Sequence, residues 1–191
     1  MKNILLVGDS IRMGYDKGVK KALEGRANVV CPEENCSFAS NVFRYINEWT
    51  GDVKCEDIDL VHFNFGLHDC LRAFGEEPNT PLDIYKYYVE RTCLRIKKLF
   101  PRAKAVFATT TSVVEEKMNP DYIRRNVDIE QYNEAAVEIV KKHGFEVNDL
   151  YEFSKSLPMD VRSDAVHFYT DKGRDEFVQK VLLCITNLLD I

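Results

Sequence analysis

No apolar run in the chain is long enough to cross a bilayer. The run near its start, Ile4-Leu5-Leu6-Val7, is also too short for the core of a secretory signal, so it reads as the first strand of a cytoplasmic protein. A basic excess is missing as well. Lys and Arg number 26 against 31 Asp and Glu, a net charge of −5 with both signs interspersed, which gives no electrostatic reason to expect DNA or RNA as a partner. There is no Cys-x-x-Cys and no histidine pair at zinc-finger spacing. The six cysteines, Cys31, Cys36, Cys55, Cys70, Cys93 and Cys184, therefore read as reduced, mostly buried thiols, and neither a metal nor a cofactor is expected. Low-complexity stretches, charge blocks and internal repeats are absent too, so residues 1–191 read as one domain. Three nucleotide or hydrolase signatures fail. Gly8 and Gly14 are too widely spaced for a P-loop and are followed by Tyr15, no Gly-x-Gly-x-x-Gly occurs, and no Gly-x-Ser-x-Gly surrounds Ser10.

What is present is 45% apolar and 11% aromatic residues, enough for one sizeable core. Short apolar runs at Ile4–Val7, Val29–Cys31, Leu60–Phe65, Ala105–Ala108 and Phe145–Val147 have strand length, and they are continuous instead of alternating. Continuity marks strands covered on both faces, as in a parallel sheet between helices. Between them, Tyr85, Tyr88, Thr92, Ile96 and Leu99 recur at helical spacing inside a segment bracketed by Pro81 and Pro101. Ile129, Tyr132, Ala136, Ile139 and Val140 form a second apolar face ending near Gly144, and Phe177, Val181, Cys184, Ile185 and Leu188 a third after Thr170. The expected architecture is α/β: a three-layer α/β/α sandwich, flavodoxin-like, with about five parallel strands.

In such folds functional groups gather at the carboxyl ends of strands. The first strand ends in Gly8-Asp9-Ser10, placing Ser10 at a strand-to-helix turn, where its hydroxyl faces the crevice and its own N–H sits at the positive end of a helix. A serine there also serves as an ordinary helix N-cap. A serine nucleophile needs a base held by a third group. Of the four histidines, His62 lies in an apolar strand and His143 at a helix end, where packing or surface roles suit them. His167 lies in Asp164-Ala165-Val166-His167, a spacing that lets one loop supply both base and orienting carboxylate, although the same pattern is common in purely structural loops. A third cluster, Asn64-Phe65-Gly66-Leu67-His68-Asp69, ends a strand run. There Gly66 permits a tight turn, His68 or Asn64 can present a side-chain N–H, and Asp69 can brace the loop by accepting backbone donors; an Asx turn without chemistry is the alternative.

These clusters, in this order, resemble the SGNH-hydrolase superfamily, the GDSL-type esterases and lipases. Gly8-Asp9-Ser10 is similar to that family's first block, Gly66-Leu67-His68-Asp69 to its Gly-x-Asn-Asp block, and Asp164-x-x-His167 to its last block. The resemblance spans residues 4–190. It implies a serine esterase with Ser10 as nucleophile, His167 as general base and acid, and Asp164 holding His167. It also implies an oxyanion and substrate-binding group drawn from Ser10, Gly66, His68 and a second-block N–H. Two departures stand out. His68 replaces the third-block asparagine, and the second-block glycine has no counterpart in residues 32–38, where Cys36, or else Asn35 or Ser37, is expected to supply the N–H. The absence of a long apolar insertion points to a small acyl ester, an O-acetyl group on a carbohydrate or similar polar molecule. The alternative is a weakly active or non-catalytic binding module on the same frame. Arg12, Arg72, Arg124 and Arg125 read as solvated surface residues that could also meet a polar or anionic substrate.

Overall fold

A computed structural model describes residues 1–191. Five strands, β1 (Lys2–Val7), β2 (Ala27–Val30), β3 (Leu60–Phe63), β5 (Lys104–Ala108) and β7 (Glu146–Asn148), form one parallel sheet in the order β2-β1-β3-β5-β7. Two further strands, β4 (Arg72–Ala73) and β6 (Tyr122–Ile123), pair as a short antiparallel ribbon. Six helices complete the chain: α1 (Ser10–Ala22), α2 (Ala39–Tyr45), α3 (Leu82–Leu99), α4 (Asn126–Lys142), α5 (Leu150–Ser156) and α6 (Asp171–Leu189). None is long and apolar enough to cross a membrane.

Every residue of Ile4–Val7 and Leu60–Phe63 is buried, whichever way its side chain points, because both faces of the sheet are covered. The one polar member, His62, has its Nε2 3.2 Å from the Asn148 amide nitrogen and meets Tyr15 edge-on, and burial pulls its pKa down to about 4. From β1 the chain steps outward to β2, then crosses back past β1 to β3, β5 and β7. With right-handed crossovers, that reversal puts α1 on one face and α2, α3 and α4 on the other, while α6 returns to pack on α1. The strand order reverses at β1 and β3, and their carboxyl ends flank the resulting crevice.

The three-layer architecture agrees with the sequence reading, and the differences are local. Pairing of β3 stops at Phe63 although the apolar run continues to Phe65, because Phe65 packs on Phe63, Tyr85 and Phe107 after the strand has ended. Helices α2 and α5, of seven residues each, are too short to show a period in sequence. Arg12 is not a solvated residue: it is 1% exposed. It faces inward from α1, pairs with Asp16 one turn on, and donates to the carbonyls of Pro32 (2.8 Å), Glu34 (2.6 Å) and Gly8 (3.4 Å). One buried guanidinium thus ties the β1–α1 turn to the loop after β2.

Replacing Arg12 with Met leaves Asp16 buried without its partner and removes the donor for those carbonyls. The expected loss is about 3–5 kcal/mol, the usual cost of breaking a buried ion pair from one side, read as a lower urea midpoint at unchanged slope.

Candidate active site

At the end of β1, Asp9 takes the capping role, its carboxylate accepting the N–H of Ile11 at 2.9 Å. Ser10 is therefore the first residue of α1 and not its cap, and its hydroxyl is free for another partner. That partner is His167, whose Nε2 lies 2.8 Å from Ser10 Oγ across 157 residues of sequence. The other ring nitrogen, Nδ1, is 2.9 Å from Asp164 Oδ2, while Asp164 Oδ1 accepts the backbone N–H groups of Val166 (2.7 Å) and His167 (2.8 Å). With Nδ1–H donating to the carboxylate, Nε2 is left to accept from the Ser10 hydroxyl. Sequence reading missed Tyr169. Its hydroxyl donates to the Ser10 carbonyl at 2.6 Å and its ring stacks on His167 with centroids 4.7 Å apart, fixing Ser10 and the imidazole together. No motif marks it beyond its place two residues after His167. His143, by contrast, pairs with Glu90 at the end of α4.

The turn after β3 forms the opposite wall. Gly66 has φ +132°, and a Cβ there would fall 2.3 Å from Thr110 Oγ1, so both conformation and space require glycine. Asn64 is turned under the β1–α1 turn, so close that a Cβ on Gly8 would meet its Oδ1 at 1.9 Å. His68 is the partly exposed member of the cluster, its ring edge-on to Phe38. Burial lowers its pKa, and nearby Arg124 and His167 push the same way against the pull of Asp9. The imidazole is therefore neutral at neutral pH, with one N–H to donate.

Cys36 does not offer a free N–H: it donates to the Gly8 carbonyl at 3.2 Å, one of the bonds that seat this loop on the β1–α1 turn. Ser37 is engaged as well, its N–H donating to Asn35 Oδ1 at 2.9 Å, and it occupies the left-handed region at φ +53° where glycine would be favoured. The N–H groups of Ser10 and Phe38 have no acceptor in the protein. Asp164 keeps its charge: partial burial works against ionisation, but the His167 and Val166 N–H groups and the imidazole hold its carboxyl below the ordinary range. No three His, Cys, Asp or Glu side chains are grouped to hold a metal ion.

Solved structures share the fold. A lipase/acylhydrolase from Enterococcus faecalis superposes with a TM-score of 0.77 at 21% identity, covering 98% of this chain and 96% of that one. An acetyl xylan esterase matches with a TM-score of 0.75 at 16% identity, over 96% and 99% of the two chains. A GDSL-like lipase from Bacteroides thetaiotaomicron gives 0.71 at 15% identity, over 98% and 89%. The chain has the SGNH-hydrolase fold. No protein-family model and no curated protein matches its sequence.

In this SGNH frame, Asp69 of the third cluster braces the crevice from beneath. It accepts the first N–H of α2, from Ala39, at 3.1 Å. Burial raises its pKa to about 6, against the opposing pull of the Thr80 side chain and the Ala39 N–H. A raised carboxyl pKa favours the folded state most at low pH, below the unfolded value of about 3.9, and that contribution is lost as pH rises through about 6. Relative to Asp69→Asn, the native protein should therefore lose roughly 2–3 kcal/mol of stability between pH 4 and pH 7. Urea unfolding of the two proteins across that range measures it, and parallel curves would show that the carboxyl is not shifted.

Proposed function

We propose that the chain is a serine ester hydrolase acting on a small acyl ester, an O-acetyl group on a carbohydrate or similar polar molecule. Ser10 Oγ attacks the acyl carbonyl while His167 Nε2 takes its proton, and Asp164 holds the imidazole in the required tautomer and stabilises the imidazolium. The developing oxyanion receives the Ser10 N–H, one N–H of neutral His68, and the N–H of Phe38 in place of Cys36. Collapse of the tetrahedral adduct expels the alcohol, protonated by His167, and leaves an acyl-Ser10. Water, deprotonated by the same imidazole, then releases the acid.

The observation that carries this reading is the 2.8 Å contact between Ser10 Oγ and His167 Nε2, made by two ends of the chain with Asp164 on the far side of the ring. The small-ester specificity is supported by the acetyl xylan esterase among the similar folds.

With p-nitrophenyl acetate, Ser10→Ala should reduce kcat by several orders of magnitude, up to roughly 10⁶-fold, and a fluorophosphonate should label the native protein at Ser10 only. Equal, slow nitrophenol release by native and Ser10→Ala protein overturns the reading. Loss of one oxyanion donor through His68→Ala should lower kcat on the order of 10²–10³-fold with KM little changed, and His68→Asn should recover much of it.

A further inference from the structure

Of the four arginines that could meet an anionic substrate, three have other roles. Arg12 is buried in its clamp, Arg72 is paired with Asp128 (2.9 Å) and Glu77 (3.0 Å), and Arg125 projects into solvent. Arg124 differs from all of them. It follows β6 directly, is partly buried, and makes one side-chain hydrogen bond, from Nε–H to the Leu67 carbonyl at 2.6 Å. No carboxylate lies within ion-pairing distance of its guanidinium, and its two terminal nitrogens have no partner in the protein. Its neighbours place it at the crevice. Leu67 adjoins His68, and Arg124 acts electrostatically on His68 and Asp9. Asp9 favours the charge on Arg124 at a distance but makes no ion pair with it: it is buried beneath the turn, and its Oδ1 caps α1.

The guanidinium is partly withdrawn from water with no anion paired to it, and that burial lowers its proton affinity. Anchoring at Nε fixes the plane of the group, so the terminal N–H pair is held as a fork that matches two anionic oxygens. We propose that Arg124 is a substrate-binding residue that receives a carboxylate or phosphate carried by the ester. This rests on the reading of Ser10 as the nucleophile and narrows the substrate to an anionic acyl ester.

Three aryl acetates that differ only in the 3-substituent test it: phenyl acetate, 3-acetoxybenzoate and 3-acetoxyphenyl phosphate. The native enzyme should prefer at least one anionic ester to phenyl acetate by tenfold or more in kcat/KM, chiefly through KM, and the carboxylate and phosphate arms show which anion the fork accepts. Arg124→Gln should erase the preference and Arg124→Lys should restore part of it. A merely structural role through Leu67 would lower all three esters alike and leave their ratios unmoved. Equal rates for the three esters with native enzyme, or a preference that survives Arg124→Gln, overturns the proposal. Should no ester be hydrolysed in a Ser10-dependent way, it is the esterase reading that fails. Calorimetric binding of 3-hydroxybenzoate and 3-hydroxyphenyl phosphate to native and Arg124→Gln protein then decides the anion site separately: binding lost in the variant supports it, and no binding or unchanged binding refutes it.

Discussion

Strands β1 and β3 stop in register, Val7 opposite Phe63, and the crevice depends on that alignment. Because both strands point the same way, the turns that follow them emerge side by side, one carrying Gly8-Asp9-Ser10 and the other Asn64 through Asp69. A slip of one residue would reverse every side chain of strands packed on both faces and take His62 away from Asn148 and Tyr15, so side-chain shape and this one polar contact, not polarity alternation, set the register. The contact of Asn64 with Gly8 is the local expression of that alignment, closing the gap between the two turns.

Two buried charged groups then attach the remaining walls. Arg12 draws the loop after β2 onto the β1–α1 turn through backbone carbonyls, and Asp69 holds the start of α2 through the Ala39 N–H. Both are costly residues to bury, and a core built only from apolar side chains would avoid the expense. They contribute direction instead: carbonyls and N–H groups of irregular loops need specific partners, which Leu or Phe could not supply. Ser37 shows the same logic, since the Asn35 side chain satisfies its N–H in a backbone conformation that would otherwise suit glycine.

This explains what could be read from the residues alone. Continuous apolar runs reveal a doubly covered sheet because burial on both faces removes polar alternation, and the bracketing prolines reveal α3 because they cannot lie inside it. The blocks holding Ser10, Asp164 and His167 are visible because each pairs a side chain with a distinctive local turn, and these three residues do meet in space. The inward turn of Arg12 was illegible, since a lone arginine in sequence defaults to solvent. The engagement of the Cys36 N–H was equally hidden, because backbone hydrogen bonds between loops leave no trace in residue type. Tyr169 and Arg124 needed coordinates for the same reason: what defines them is a carbonyl on another segment.

Two imidazoles share the crevice, and the proposed chemistry asks opposite things of them. His167 must take a proton from Ser10, whereas His68 must stay neutral and offer a single N–H. Their surroundings differ accordingly. Asp164 lies against His167 Nδ1, so positive charge on that ring meets a carboxylate. His68 is partly enclosed, has Arg124 nearby, and finds only the buried Asp9 to favour its charge. In the proposed reaction a proton leaving Ser10 would thereby go to one ring and be kept off the other. A histidine donor beside the base would suit the proposed chemistry, because the same positive residue that would receive an anionic substrate also discourages protonation of His68. Binding such an anion would relax that restraint on His68 while leaving Asp164 against His167, so in the proposed reaction substrate charge and oxyanion donor would be electrostatically linked through Arg124.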